Sequence, residues 1–166
     1  MAASFDLVVL GAGSGGYACA LRAAQLGFTV ALVEKDKVGG TCLHRGCIPT
    51  KAMLHAAEVA DSVRDGSQFG VHAAIDKIDL AGVVTYADSV VGRIYRGLSG
   101  LVSSRGITVV HGAGSLTQHD GRPAVTVGDE TYQAPNLVLA TGSYARSLSG
   151  LEIGRASCRE RVFAVV

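Results

Sequence analysis

The 166-residue sequence predicts an α/β domain built on a parallel sheet, and three observations support this fold class. A short apolar run, Asp6–Leu10, ends in glycines, as buried parallel strands often do. Residues Ser14–Leu26 are apolar at helical spacing and are followed by Gly27. Thr29–Val33 is a second apolar run of strand length. A strand, a helix and a strand within about thirty residues predict a βαβ unit with a parallel pair of strands.

The elements after this unit are predicted from the same patterns. Residues 35–50 are predicted to form a loop, because they contain a Gly-Gly pair, Gly46 and Pro49. Helices are predicted over Lys51–Val63 and Asp79–Val102, with a turn at Gly66–Gly70 between them. After Gly106 the pattern changes to short β runs at Ile107–His111, Ser115–Thr117, Ala124–Val127, Thr131–Gln133 and Leu137–Ala140. These runs predict a small antiparallel β-meander appended to the sheet.

Composition and charge exclude several classes of protein. With 48% hydrophobic and 17% charged residues, the chain is predicted to pack a core rather than to be disordered. A net charge of +1 without a basic face argues against a nucleic-acid partner. The uncharged stretch Leu7–Leu21 is too short for a membrane span and lacks a preceding basic residue, so we expect no membrane association and a cytoplasmic location. Four cysteines are too few for a disulfide-stapled secreted scaffold.

The first chemical motif is G-x-G-x-x-G at Gly11, Gly13 and Gly16, directly after a strand and opening a helix. Such glycines allow a tight turn, the approach of a pyrophosphate to the backbone, and close packing of helix on strand. Glu34 follows Gly16 by 18 residues, at the end of the second strand, where a carboxylate can accept hydrogen bonds from ribose hydroxyls. The motif predicts a Rossmann-like dinucleotide site but does not distinguish FAD from NAD. The alternative is a glycine-rich turn in another α/β domain.

The second motif is a pair of cysteines, Cys42 and Cys47, which suggests a thiol pair able to close into a disulfide. In an ideal helix these positions lie roughly 8.6 Å apart at Cα, whereas disulfides rarely exceed about 7 Å. A bridge therefore requires a distorted helix turn, which Gly46 and Pro49 permit, and the distortion favours a reducible bond. A nearby helix N-terminus favours the thiolate. Buried inert thiols are the alternative; zinc is disfavoured because no second pair of ligands follows, and we expect no metal.

Residues Gly39–Asp61, GGTCLHRGCIPTKAMLHAAEVAD, resemble the redox-disulfide segment of the flavin-dependent pyridine nucleotide–disulfide oxidoreductases, and the Ile48-Pro49-Thr50-Lys51 sequence resembles most the dihydrolipoamide dehydrogenases among them. The resemblance extends over residues 5–152. It implies a Rossmann-like FAD-binding domain, with a parallel sheet, helices and a small antiparallel meander.

The resemblance also implies roles for individual residues. Cys42 is implied as the interchange thiol and Cys47 as the thiol nearest the flavin, with Lys51 beside the flavin ring; a solvated helix lysine is the alternative for Lys51. Thr141-Gly142-Ser143 is similar to a turn of the family that approaches FAD, although Ala145 and Ser149 stand where prolines are more usual. The implied FAD-binding residues are Gly11, Gly13, Gly16, Glu34, Lys35, Gly40, Thr41, Cys42, Lys51, Gly114, Thr141, Gly142 and Ser143.

The function implied by the resemblance is the FAD-dependent oxidation of dihydrolipoamide to lipoamide with NAD⁺ as acceptor, through a Cys42–Cys47 disulfide. The partner is then the lipoyl group of a 2-oxoacid dehydrogenase complex or of a glycine cleavage protein, and the complete enzyme is a homodimer. Two alternatives remain: a reductase of the same family acting on glutathione or mercuric ion, and a stand-alone FAD-binding or redox module.

The sequence predicts two regions of different character. Residues 1–152 are expected to be the N-terminal part of a truncated FAD/NAD(P)-binding domain, inactive alone, since the chain shows neither a second glycine motif for NAD nor the family's interface domain. Residues 153–166 begin IGRASCRERV and resemble a translation of sequencing-adapter DNA. We expect them to be a non-native tail; an ordinary basic C-terminus is the alternative.

Overall fold

The computed structural model describes residues 2–143, which form two compact units. Among the described residues, the first unit comprises residues 2–42 and 95–143, and the second comprises residues 43–94. The strands are β1 (Ala2–Ser4), β2 (Leu7–Leu10), β3 (Val30–Glu34), β4 (Thr108–His111), β5 (Gly114–His119), β6 (Arg122–Val127), β7 (Glu130–Gln133) and β8 (Asn136–Leu139). The helices are α1 (Ser14–Gln25), α2 (Gly40–His44), α3 (Cys47–Asp65) and α4 (Leu80–Ser104), with a 3₁₀ turn at Gly66–Phe69.

A four-stranded parallel sheet in the order β4-β3-β2-β8 lies at the centre of the first unit. The βαβ unit is confirmed, with β2 and β3 paired in parallel and α1 between them along the chain. Leu7 and Val9 pack with the small side chains of α1 and with Val102 of α4. Val8 and Leu10 face the opposite side and pack with Val125 and Ala134. Burial on both faces explains why these strands are apolar without alternation.

The second sheet of the first unit has the order β1-β7-β6-β5. Its strands β5, β6 and β7 form the predicted antiparallel meander. The prediction was wrong for the first and last of the five runs, because β4 and β8 pair in parallel with β3 and β2 instead. Strand β1 was not predicted; it pairs in parallel with β7. Local patterns identify strands, but pairing partners depend on contacts far apart in the sequence.

The prediction of a loop over residues 35–50 was wrong in its second half. Helix α2 occupies part of it, and α3 begins at Cys47, four residues before the predicted start at Lys51. Pro49 is compatible with this early start because the first-turn N–H groups of a helix have no intrahelical acceptor. The second unit contains α3, the 3₁₀ turn and α4 as far as Ile94. Within residues 2–143, no helix combines the length and apolar character needed to cross a membrane.

Candidate functional site

The loops that follow the parallel strands meet at the carboxyl edge of the sheet in the first unit. The Gly11 N–H donates to the Val33 carbonyl at 2.8 Å, and the Ala140 N–H donates to the Leu10 carbonyl at 2.8 Å. The Gly112 N–H donates to the Glu34 carbonyl at 2.9 Å. This edge is where ligands bind in open α/β sheets. The sequence-predicted glycine loop, Glu34 and the turn at Thr141 therefore lie at one edge.

Two glycines of the motif are needed by the fold itself. Gly11 has φ +99°, and a Cβ there would lie 2.7 Å from the carbonyl carbon of Ala140. A Cβ on Gly16 would overlap the carbonyl oxygen of Gly11 and lie 2.9 Å from its carbonyl carbon. Gly16 is buried in α1, so the helix approaches the end of β2 as closely as backbone atoms allow. These glycines explain the close packing of helix on strand that the motif predicts.

Gly13 differs from Gly11 and Gly16, because the space that its side chain would occupy is open. An added Cβ would meet only the Cα of Gly40, at 4.0 Å. Gly13 is also the N-cap of α1, where no side chain caps the helix, and the first turn contains no acidic residue. The N–H groups and the positive dipole end of α1 thus lack a side-chain acceptor or counter-charge of the helix itself. An anion such as a pyrophosphate fits this requirement.

The segment around Gly40 lies directly against the glycine loop. The Gly39 N–H donates to the Ala12 carbonyl at 2.8 Å, which fixes the segment against the glycine loop. Gly40 has φ +61°, and a Cβ on it would lie 2.6 Å from the Cα of Gly13. At Gly13 and Gly40 two segments of backbone therefore approach each other closely. We call this pair of residues the glycine cradle. A Cβ on Gly40 would collide with the Gly13 backbone, so the two segments could not approach this closely.

The carboxylate of Glu34 accepts two backbone hydrogen bonds. Its Oε2 accepts from the Ala12 N–H at 2.7 Å, and its Oε1 accepts from the Asp36 N–H at 2.9 Å. The half-buried side chain thus joins the end of β3 to the glycine loop. Each carboxylate oxygen keeps a further lone pair, which can accept a hydrogen bond from a ribose hydroxyl. Lys35, next in the chain, is exposed.

Cys42 lies in α2, and Cys47 is the first residue of α3. Both side chains are half-buried. The helix is interrupted between them, since Gly46 has φ −126° and ψ −110°, outside the helical region. The sequence argument required such a distortion only on the condition that the two thiols form a disulfide. The pairing of the two thiols stays a prediction.

The remaining predicted residues are distributed over both units. Gly114 opens β5 and has a packing role, since a Cβ there would lie 2.6 Å from Leu10 Cδ1. Thr141, Gly142 and Ser143 follow Ala140 and are exposed, and Gly142 has φ +79°. Lys51 is exposed on α3 in the second unit, and Thr41 is exposed in the first. Ala145, Ser149 and the proposed tail at 153–166 lie outside the described residues.

Sequence reasoning missed two features of this region. The first is Gly39, whose φ of +115° and whose N–H hydrogen bond to the Ala12 carbonyl fix the glycine cradle. The buried hydroxyl of Thr50, in the first turn of α3, has no hydrogen-bond partner. The Gly39-Gly40 pair in the sequence could have indicated the close approach at Gly39, whereas no local pattern indicates that the Thr50 hydroxyl lacks a partner.

No cluster of three or more His, Cys, Asp or Glu able to hold a metal is present within residues 2–143.

Known proteins are similar to this chain over most of its length. The profile of the pyridine nucleotide-disulphide oxidoreductase family matches residues 5–163. The dihydrolipoyl dehydrogenase of Chlamydia trachomatis is 44% identical over 156 residues, which are 94% of this chain and 34% of that protein. The Bacillus subtilis dihydrolipoyl dehydrogenase is 40% identical over 163 residues, covering 92% of this chain and 34% of that protein.

A solved structure shares the fold. The crystal structure of LpdA from Mycobacterium tuberculosis superposes with a TM-score of 0.77 at 24% identity, covering 88% of this chain and 33% of that one. The chain spans about a third of the length of the curated relatives it matches. The family match covers nearly all of the sequence and includes the glycine loop, Glu34 and both cysteines. The chain therefore belongs to the pyridine nucleotide-disulphide oxidoreductase family.

Proposed function

We propose that this chain is the FAD-binding and thiol-bearing part of an NAD-dependent dihydrolipoamide dehydrogenase. The observation that carries the proposal is the glycine cradle, where Gly13 and Gly40 approach each other at the open N-terminus of α1. Two residues after Gly40 the chain reaches Cys42, the first of the two thiols. The similarity to dihydrolipoyl dehydrogenases of Chlamydia trachomatis and Bacillus subtilis supports the choice of reaction.

The FAD pyrophosphate is proposed to lie in the glycine cradle, on the N–H groups of α1. Glu34 is proposed to bind the adenosine ribose, because its carboxylate is already held by the Ala12 and Asp36 N–H groups. The backbone of Gly114 is proposed to contact the adenine of FAD. The other proposed FAD-binding residues are Gly11, Gly16, Lys35, Thr41, Cys42, Lys51, Thr141, Gly142 and Ser143. When bound, FAD would supply two-electron transfer between the cysteine dithiol and NAD⁺, whose own site we place outside this chain.

The two thiols perform the exchange with substrate. A dihydrolipoamide thiolate attacks Cys42 Sγ of the disulfide, which forms a mixed disulfide and releases Cys47 as a thiolate. The second lipoyl thiolate then attacks the lipoyl sulfur bound to Cys42, which closes oxidised lipoamide and releases Cys42. Two electrons pass from the substrate to the cysteine pair, and the two substrate protons pass to the solvent or to Cys42. The break in the helix at Gly46 supports this assignment, since a continuous helix would hold the two Cα atoms too far apart.

The proposal extends to the complete protein. We propose that it works as a cytoplasmic homodimer on the lipoyl group of a 2-oxoacid dehydrogenase complex or a glycine cleavage protein. Few cysteines and a redox pair suit a compartment in which thiols are kept reduced. Within the chain, residues 1–152 are proposed as the dinucleotide-binding portion, and residues 153–166 as a tail outside it.

The thiol assignment is tested on the chain itself. After reduction, the chain is incubated with oxidised lipoamide, and the disulfide is mapped between the tryptic peptides Val38–Arg45 and Gly46–Lys51, each of which contains one cysteine. We expect a Cys42–Cys47 disulfide that dihydrolipoamide reduces again. The Cys19→Ser chain is the control, since Cys19 lies in α1 and packs against the core. Absence of the disulfide in both chains would show that the pair is not redox-active.

The substrate assignment requires the product of the complete gene. We expect turnover with dihydrolipoamide and NAD⁺, and loss of turnover in Cys47→Ser. Turnover of glutathione with NADPH only would favour the second candidate within the family. Tight FAD binding by the isolated chain, without turnover in the complete protein, would favour a redox module.

A further inference from the structure

The hydroxyl of Thr50 is buried, yet it has no hydrogen-bond partner. Hydroxyls in helices commonly donate to the carbonyl three or four residues earlier. Four described hydroxyls do so, those of Ser62, Thr85, Ser89 and Ser104. For example, Thr85 Oγ1 donates to the Ala81 carbonyl at 2.9 Å. A buried hydroxyl left without a partner is destabilising, so it is a candidate donor to a group that becomes an acceptor in another state of the protein.

The side chain three residues before Thr50 is Cys47, which provides such a state. Residues at i and i+3 lie on the same face of a helix, and helical side chains lean toward the N-terminal turn. Cys47 is half-buried, and its thiol is free. A neutral thiol is a weak acceptor, whereas a thiolate accepts a strong, charge-assisted hydrogen bond. The unpartnered hydroxyl and the thiol therefore belong to the same turn of α3, within the second unit.

We propose that Thr50 is a positioning residue that donates a hydrogen bond to the Cys47 thiolate. The inference rests on the proposed function in one respect, namely that Cys47 works as a thiolate after reduction of the disulfide. The step is a deprotonation: the Cys47 proton passes to solvent, and no electron moves. The Thr50 hydroxyl and the N-terminal end of α3 then stabilise the same negative charge, and the thiolate is held in one orientation on the helix.

The test measures how the reactivity of Cys47 depends on pH, without FAD. In a Cys42→Ser background, which prevents closure of the pair, iodoacetamide labels Cys47, and the label is quantified on the tryptic peptide Gly46–Lys51. Thr50→Val retains the shape of the side chain and removes the donor. We expect the midpoint of the pH–rate profile to rise by about one to two pH units. Thr50→Ser, which restores a hydroxyl, is expected to return the midpoint toward that of the parent chain.

The matched control is Thr85→Val, in which the same substitution removes a hydroxyl that already has a helical acceptor. Its midpoint is expected to equal that of the parent. Circular dichroism and thermal melting of each variant show whether α3 remains folded, and a folded Thr50→Val chain with an unchanged midpoint would overturn the inference. An equal rise in Thr85→Val would overturn it as well, because the effect would then be general.

The disulfide-mapping experiment on the unsubstituted chain separates this inference from the proposed function. If the Cys42–Cys47 disulfide forms and Thr50→Val has no effect on the midpoint, only the role of Thr50 is wrong. If no disulfide forms and the midpoint still rises, the interaction of Thr50 with Cys47 holds and the proposed function is wrong.

Discussion

The glycine cradle predicts that Gly13→Ala weakens nucleotide binding without unfolding the protein. An added Cβ at Gly13 would meet only the Gly40 Cα at 4.0 Å, an ordinary van der Waals distance, and the φ of −68° suits any residue. Replacing glycine by alanine at an N-cap costs at most about 1 kcal/mol. The methyl group would instead occupy the space where a phosphate approaches the N–H groups of α1. Loss of one charge-assisted hydrogen bond, worth about 1.5–3 kcal/mol, weakens binding roughly 10- to 100-fold.

The assay is titration calorimetry of the chain with FAD and with ADP, accompanied by urea unfolding. Gly15→Ala is the matched control, because a Cβ at Gly15 meets nothing within 4 Å and the position lies in the same helix turn. We expect Gly15→Ala to bind as the parent chain does and to be equally or more stable, since alanine favours helix. Equal affinity of Gly13→Ala and the parent chain would refute the phosphate site. A loss of several kcal/mol of stability in Gly13→Ala would show that the position serves the fold instead.

Three further substitutions test the other parts of this edge. Gly16→Ala is expected to lower the free energy of unfolding by about 3 kcal/mol, because its Cβ would overlap the Gly11 carbonyl oxygen; an unchanged urea midpoint would contradict this. Glu34→Gln leaves one of two backbone N–H groups without its acceptor, so we expect about 1 kcal/mol less stability and about tenfold weaker ADP binding in calorimetry. Hydrogen bonds from Thr29 lower the pKa of the Asp6 carboxyl. The ionised carboxylate therefore stabilises the folded state at pH values above the ordinary carboxyl pKa. This stabilisation is lost as the pH falls through the lowered pKa of the folded state. The melting temperatures of the parent and Asp6→Asn chains are therefore expected to differ at pH 7 and to converge below about pH 4, and a constant difference would oppose this account.

The amino-acid sequence predicted the elements with a strong local signal. The uninterrupted apolar runs that became β2 and β3 have to be covered on both faces, which only a parallel sheet with layers on each side provides. The glycine spacing and Glu34 predicted a dinucleotide site, since few other uses require glycine at these places. The helices on either side of Gly46 were not predicted, because a Gly-Gly pair, Gly46 and Pro49 are locally typical of a loop.

Tertiary structure decided which strands pair and which glycines serve the fold. The runs that became β4 and β8 have the composition of the meander strands, and only their contacts with β3 and β2 assign them to the parallel sheet. Sequence spacing treats Gly13 and Gly16 alike, but the distance to neighbouring backbone separates a position open to a ligand from one closed by packing. The unpartnered hydroxyl of Thr50 likewise has no sequence signal. Periodicity and backbone preferences are local properties of a chain, whereas pairing, close approach and hydrogen-bond satisfaction depend on residues that only folding brings together.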